Sequence, residues 1–122
     1  MSPPRLLLVD DEPLILSALG RLLRRMGYEV ATAENGQAAL EMLATAPCDL
    51  VLTDLRMPLL DGRGLLLAVR AKYAALPVII LTGYGDVSDG ELQRLGACAV
   101  LGKPTEAHAI RAAVTRCLDR RA

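Results

Sequence analysis

The sequence predicts an α/β fold of the doubly wound type, (βα)5, in which helices cover both faces of a central five-stranded parallel sheet. Five short apolar runs alternate along the chain with five segments whose apolar residues recur at helical spacing. These runs are apolar on both faces, which is typical of parallel strands with helices on each side. The length of 122 residues, 52% of them hydrophobic, predicts one domain over residues 1–122.

Each predicted strand is a short apolar run that ends at polar or turn-forming residues. The first run stops at Asp10, and the third stops at Asp54. The fourth contains the β-branched segment Val78-Ile79-Ile80, which has the strongest strand preference in the chain. The predicted strands cover residues 5–9, 28–32, 49–53, 77–81 and 98–101.

Each predicted helix has an apolar face and a polar face. Pro13 suits the start of the first helix, and Gly27 ends it. The second helix follows Asn35-Gly36, whereas the fourth carries Gly90 in its interior, at a cost of about 1 kcal/mol relative to Ala. The core face of the fifth helix consists of Ile110, Ala113, Val114, Cys117 and Leu118. The predicted helices cover residues 14–26, 37–45, 64–72, 87–95 and 106–119.

Composition and charge exclude several classes of function. Fourteen Lys and Arg residues balance fourteen Asp and Glu residues, and the chain has no Phe or Trp, so we expect no direct nucleic acid binding by this domain. No apolar run approaches the roughly 18 residues of a membrane helix, and no signal-peptide pattern is present, which predicts a soluble cytoplasmic protein. The scattered Cys48, Cys98 and Cys117 predict reduced core thiols rather than a disulfide framework.

The polar residues that follow the predicted strands indicate a site at one edge of the sheet. Asp10 and Asp11 follow the first strand, Asp54 ends the third, Thr82 ends the fourth, and Lys103 follows the fifth. Ligands of open α/β sheets bind at the carboxyl ends of the strands. A single such residue is usually a turn former or a helix cap, but placements after four strands predict a functional site.

These residue types favour phosphoryl chemistry with a metal ion. Three carboxylates at one edge repel one another unless a cation holds them or one stays protonated. Oxygen ligands without a paired His or Cys indicate Mg2+. A carboxylate beside Mg2+ can attack a phosphoryl group and form an aspartyl phosphate. Lys103 would then neutralise one phosphoryl oxygen, and Thr82 would donate a hydrogen bond to another.

The ordered set of motifs resembles the receiver domain of two-component response regulators, the CheY-like superfamily. The resemblance extends from Leu6 to Leu118, and successive separations between Asp11, Asp54, Thr82 and Lys103 are 43, 28 and 21 residues. It implies a flavodoxin-like strand order of 2-1-3-4-5. The motifs that carry it are Val-Asp-Asp-Glu-Pro at 9–13, Thr-Asp-Leu-Arg-Met-Pro at 53–58 with Asp61-Gly62, Leu81-Thr82-Gly83, and Lys103-Pro104.

The resemblance also implies a role for each matching residue. Asp54 matches the acceptor of a phosphoryl group from the phosphohistidine of a sensor histidine kinase or a histidine phosphotransfer protein. Thr82 and Lys103 match the residues that hold the phosphoryl oxygens, and the Lys103-Pro104 bond is expected to be cis. The implied Mg2+ ligands are Asp11, Asp10 mostly through water, Asp54, and the backbone carbonyl of Arg56.

The resemblance implies that the domain is a signalling switch rather than a turnover enzyme. Phosphorylation would change the face formed by the fourth helix, fifth strand and fifth helix, which could also join two copies of the chain or contact an output domain. Receivers generally carry Tyr or Phe where this chain has Val100, so Val100 either fills the strand edge or marks a weakly coupled switch. Arg56 and Tyr84 flank the phosphoryl site and either shield it or decorate the surface, and His108 is expected to be a solvated surface residue.

Other interpretations make different demands on the sequence. A phosphatase of the haloacid dehalogenase type places a second Asp two residues after its nucleophile, where this chain has Arg56. A flavodoxin-like cofactor binder needs a first loop that cradles phosphate, which the acidic loop here would repel. A degenerate receiver acting as an interaction module would have lost Asp54, Asp11 or Lys103. A receiver of a hybrid histidine kinase, a free-standing receiver and an N-terminal module all remain open.

Overall fold

The computed structural model describes residues 3–83, 90–103 and 105–120. Within this part of the chain, five parallel strands form one sheet. They are β1 (Arg5–Val9), β2 (Glu29–Ala33), β3 (Leu50–Asp54), β4 (Val78–Thr82) and β5 (Ala99–Gly102). Their order is β2-β1-β3-β4-β5. The predicted doubly wound fold and its strand order are therefore confirmed.

Among the described residues, five helices connect or follow the strands. They are α1 (Pro13–Arg25), α2 (Gly36–Thr45), α3 (Gly62–Lys72), α4 (Glu91–Arg94) and α5 (Ala107–Arg120). Asn35 caps α2 by accepting a 2.8 Å hydrogen bond from the Ala38 amide, and Asp61 caps α3 by accepting one of 2.8 Å from the Gly64 amide. None of the described helices is long and apolar enough to cross a membrane.

The sheet separates two apolar cores, because successive residues of a strand point to opposite faces. Leu6 and Leu8 of β1 belong to the core beneath α1 and α5, whereas Leu7 and Val9 belong to the core beneath α2, α3 and α4. All four of these side chains are fully buried. The five residues predicted for the core face of α5 are its five buried residues: Ile110, Ala113, Val114, Cys117 and Leu118.

Several element boundaries differ from prediction by one or two residues. β3, β4 and β5 each begin and end one residue later than predicted, because backbone pairing continues through the polar residues at which the apolar runs stop. α3 begins at Gly62 rather than Gly64, since Asp61 supplies its cap. Gly90 is not inside α4 but at its N-cap, with φ 72° in the left-handed region that suits glycine. The predicted segment 87–89 of this helix lies outside the described residues.

The prediction of three reduced thiols was wrong for two of them. Cys98 and Cys117 are joined by a disulfide, with their Cα atoms 6.0 Å apart, and only Cys48 is free. Cys98 immediately precedes β5, and Cys117 lies on the buried face of α5. The prediction failed because the two residues are 19 positions apart in sequence and meet only when α5 packs over the sheet.

Candidate functional site

The carboxyl ends of four strands bring the predicted site residues to one edge of the sheet. In the strand register, Val9 of β1 is opposite Thr53 of β3, and Asp54 is opposite Leu81 of β4. Thr82 is in turn opposite Gly102 of β5. Asp10 and Lys103 each follow a strand directly, so they extend the same edge. Regular parallel pairing therefore gathers polar residues that are up to 93 positions apart in sequence.

Lys103 joins the acidic residues of this edge. Its ammonium nitrogen lies 2.9 Å from Asp54 Oδ1 and 3.5 Å from Asp10 Oδ2. Partial burial lowers the pKa of Lys103, but the hydrogen bond and negative charge of Asp54, together with Asp10, outweigh it and raise the pKa above its usual value. The Lys103 amide also donates to the Thr82 carbonyl at 2.8 Å, which fixes the start of the side chain. Lys103 is consequently a positioned cation.

Asp10 is a carboxyl group that the fold holds almost entirely out of water. It is 1% exposed, and its Oδ1 accepts a 2.9 Å hydrogen bond from the Glu12 amide. Burial raises the pKa of Asp10, against the opposing effects of the Glu12 amide and the Lys103 charge, and the charge of Asp54 raises it further. Burial therefore makes ionisation of Asp10 less favourable than ionisation of an exposed carboxyl group.

Carboxylate oxygens at the end of β1 form a group suited to a hard cation. Asp10, Asp11 and Glu12 each place one oxygen within 4.8 Å of the other two, with Asp10 buried and the others exposed. All-oxygen donors and the buried Asp10 carboxylate fit Mg2+. The sequence analysis included Asp10 and Asp11 but assigned no ligand role to Glu12. Its position directly after the two aspartates was the available signal.

Asp54 ends β3, and the loop that follows it is tightly packed. Asp54 is 8% exposed, and the next amide, that of Leu55, donates to the Leu81 carbonyl at 3.0 Å. The Gly62 amide donates to the Leu55 carbonyl at 2.8 Å and closes the loop. A Cβ atom at Gly62 would overlap the Asp54 carbonyl oxygen, so this position requires glycine. The loop therefore fixes the backbone that carries Asp54.

Thr82 lies at the same edge with a weakly engaged hydroxyl. The residue is 1% exposed, and its hydroxyl donates to the Gly83 carbonyl at 3.4 Å, near the limit of a hydrogen bond. Such a hydroxyl can turn toward a stronger acceptor. Arg56 is exposed in the loop after β3, two residues beyond Asp54. The predicted metal contact of its carbonyl stays a prediction.

The remaining predictions about individual residues have mixed outcomes. Val100 is half-buried and packs against the core beneath α2, α3 and α4, and both interpretations of this residue stay predictions. His108 is exposed, as predicted, with its Nδ1 3.1 Å from Glu106 Oε2. Tyr84 and Pro104 lie outside the described residues. The predicted cis bond between Lys103 and Pro104 therefore stays a prediction.

Comparison with known proteins gives a consistent assignment. The pattern of the response regulator receiver domain matches residues 6–115. The transcriptional regulatory protein GlrR of Escherichia coli (strain K12) is 39% identical over 121 residues, covering 98% of this chain and 27% of GlrR. The response regulator protein FleR of Pseudomonas aeruginosa is 39% identical over 113 residues, covering 92% of this chain and 24% of FleR. The chain thus spans about a quarter of the length of these curated relatives.

A solved structure supports the same assignment. The response regulator receiver domain protein from Clostridium thermocellum superimposes with a TM-score of 0.91 at 33% identity, covering 97% of this chain and 96% of that protein. This similarity agrees with the CheY-like strand order found here. This chain is a receiver domain of the two-component response regulator family.

Proposed function

We propose that this domain accepts a phosphoryl group on Asp54 from a phosphohistidine and thereby switches a downstream output. The observation that carries the proposal is the position of Lys103, whose ammonium group contacts both Asp54 and the buried Asp10 at the carboxyl edge. A fixed cation beside a carboxylate is suited to hold the phosphoryl oxygens of an aspartyl phosphate.

The transfer step uses Asp54 as the nucleophile. A carboxylate oxygen of Asp54 attacks phosphorus, the phosphorus–nitrogen bond of the donor breaks, and the electron pair leaves with the imidazole nitrogen. The new acyl phosphate removes the negative charge from the carboxylate that Lys103 contacts. The ammonium group, which its raised pKa keeps protonated, then pairs with a phosphoryl oxygen. The Thr82 hydroxyl exchanges its 3.4 Å contact with Gly83 for another phosphoryl oxygen.

Mg2+ is the cofactor that the donor set favours. We assign its protein ligands to Asp10, Asp11, Asp54 and the Arg56 carbonyl. When bound, the ion would supply positive charge that neutralises the phosphoryl oxygens. The buried carboxylate of Asp10 would be ionised in that state, and Asp11 would present its exposed carboxylate from the adjacent position. The reaction modifies the protein itself and, with later hydrolysis by water, returns it to its starting state, so no separate substrate is turned over.

The partners follow from the same chemistry. The phosphodonor is a sensor histidine kinase or a histidine phosphotransfer protein, and the receiver spans residues 1–122. The printed names of GlrR and FleR are those of a transcriptional regulatory protein and a response regulator, and each is about four times as long as the matched segment. This supports an output domain in a longer protein, with a hybrid histidine kinase as the alternative context. We place the domain in the cytoplasm. We assign its α4-β5-α5 face as the surface that changes on phosphorylation and that joins two copies in a homodimer.

Intact mass after incubation with a small phosphodonor tests the proposal. Phosphoramidate provides the phosphorus–nitrogen bond of a phosphohistidine, and acetyl phosphate provides a second donor. We expect a Mg2+-dependent gain of about 80 Da, one phosphoryl group, in the native chain. The gain should be absent from Asp54→Asn and unchanged in Asp119→Asn, which alters an exposed carboxylate at the far end of α5.

Two results would overturn this function. One is the absence of any mass gain in the folded native chain with either donor, which would favour a receiver that acts only as an interaction module. The other is a gain of equal size in Asp54→Asn, which would place the phosphoryl group on a different residue.

A further inference from the structure

The disulfide lies at the end of the sheet opposite the carboxyl edge. Cys98 immediately precedes β5, and its amide donates to the Val78 carbonyl at 2.8 Å, at the amino end of β4. Cys117 is fully buried on α5, the helix above it. Their Cα separation of 6.0 Å lies within the usual disulfide range of about 4.4–6.8 Å. The backbone of the folded domain therefore brings the two sulfur atoms together without displacement of either element.

A surface cavity borders this pair. The cavity has a volume of about 340 Å³, and its lining includes both cysteines together with Arg70 and Arg120. Cys98 is half-buried rather than fully enclosed, which exposes part of the pair to small molecules. The thiolate is the form of a cysteine that reacts with peroxides and disulfides.

We propose that Cys98 and Cys117 form a redox-active dithiol whose disulfide closes on reaction with a hydroperoxide and reopens with a thiol reductant. The half-buried Cys98 is assigned as the sulfur that meets the oxidant, and the buried Cys117 as the sulfur that resolves it. Neither cysteine belongs to the phosphoryl site, so the redox chemistry is independent of the proposed function. Its effect on signalling rests on that function, because β5 and α5 belong to the proposed switching face.

The chemistry balances in two steps. The Cys98 sulfur attacks one oxygen of hydrogen peroxide, the oxygen–oxygen bond breaks, and the departing oxygen leaves as water, so that Cys98 becomes a sulfenic acid. The Cys117 sulfur then attacks the Cys98 sulfur, the sulfur–oxygen bond breaks, and a second water leaves. The two thiols together lose two electrons, and one peroxide is reduced to two waters. Two molecules of a thiol reductant reverse the oxidation through a mixed disulfide.

Mass spectrometry of the full chain provides the first test. The chain carrying Cys48→Ser, which removes the free thiol, is reduced without oxygen and then exposed to hydrogen peroxide. We expect a mass loss of about 2 Da, for two hydrogens, a Cys98–Cys117 crosslinked peptide after digestion, and full reversal by a thiol reductant without denaturant. The same measurement on the native chain requires no substitution and should yield the same crosslinked peptide.

Single variants test the two assigned roles. In the Cys48→Ser background, Cys117→Ala should accumulate a sulfenic acid at Cys98 that dimedone traps, because the resolving sulfur is gone. Cys98→Ala should react with peroxide at least tenfold more slowly, since Cys117 is fully buried. Closing the disulfide across this separation of 19 residues should also raise Tm by about 8–15 °C relative to the reduced chain.

The proposal fails if peroxide leaves both thiols free, if it yields sulfinic acids or intermolecular dimers instead of the internal crosslink, or if the disulfide resists reduction in the folded protein. The same treatment of Asp54→Asn separates this proposal from the function above. That variant should form the crosslink normally even though it lacks the phosphoacceptor.

Discussion

Lys103 sets the charge balance of the carboxyl edge, because one ammonium group faces two carboxylates. Asp10 is the more deeply buried of the two carboxyl groups, at 1% exposed against 8% for Asp54. The sequence could predict that these three residues share an edge, since each follows a buried strand. It could not predict that Lys103 contacts both carboxylates, because that depends on how a long, flexible side chain lies across the sheet.

At this scale we predict that Asp10→Asn stabilises the metal-free protein at neutral pH. The raised pKa means that the Asp10 carboxyl contributes stability below its unfolded pKa and loses it as pH rises through the folded pKa. Asn removes this cost and keeps an oxygen that can accept from the Glu12 amide. Thermal unfolding without metal should show a higher Tm at pH 7 and little change near pH 3.

The metal-bound protein should behave in the opposite way. Mg2+ at about a hundred times its dissociation constant should stabilise the native chain by about 2.7 kcal/mol. Asp10→Asn should lose most of this gain, whereas Asp119→Asn should keep it.

A metal-free Tm for Asp10→Asn below that of the native chain would contradict the assigned cost of burying this carboxyl group.

Leu59 supplies a second prediction at the residue scale. It has φ 68°, in the left-handed region, and its side chain is 84% exposed. The conformation costs a residue with a Cβ about 1–2 kcal/mol, whereas glycine costs about 0.5–1 kcal/mol in lost unfolded-state freedom. Leu59→Gly should therefore stabilise the protein by about 0.5–1 kcal/mol in urea unfolding. Leu59→Ala, which keeps the Cβ, is the control, and a lower urea midpoint for Leu59→Gly would refute the argument.

At the scale of elements, hydrophobic periodicity predicted the type and order of all ten, because apolar faces must be buried. Their ends were less predictable. Asp54, Thr82 and Gly102 are polar or small and mark the ends of apolar runs, yet their backbones still pair with a neighbouring strand. The Cys98–Cys117 link could not be predicted for a related reason, since it depends on where α5 crosses the end of the sheet.

The loop between β3 and α3 gives a prediction at this scale. Gly62→Ala should destabilise the protein by about 1–3 kcal/mol and slow phosphorylation, because the new methyl group would push on the Asp54 carbonyl. Gly64→Ala is the matched control. Its Cβ would meet mainly the far end of the Leu60 side chain, which can move aside. Urea unfolding and the rate of mass gain with acetyl phosphate measure the two effects, and equal losses in both variants would count against the overlap at Gly62.

For the whole molecule, the important feature is that one sheet serves two cores. Leu52 of β3 faces the core beneath α1 and α5, and its neighbour Val51 faces the other core. Both side chains are fully buried. Because every central strand contributes to both cores, neither core can come apart while the other keeps its strands.

We therefore predict that the two cores unfold together. Leu52→Ala should cost about 2–5 kcal/mol and Val51→Ala somewhat less, since fewer carbon atoms are removed. Each variant should still unfold in one transition, with the same midpoint by circular dichroism and by tyrosine fluorescence. Two separated transitions in the Leu52→Ala protein would show that the cores are independent.

The two outermost strands have a further consequence, for behaviour in concentrated solution. Within the part of the chain that the structure describes, β2 and β5 pair on one side only, and each leaves a row of backbone groups open to another chain. β2 carries exposed Glu29 and Thr32, and β5 has only four residues and ends at exposed Gly102. β1, β3 and β4, whose residues are almost all buried, lie between them. The two edge strands are partly polar, which disfavours edge-to-edge aggregation of a chain that has zero formal net charge.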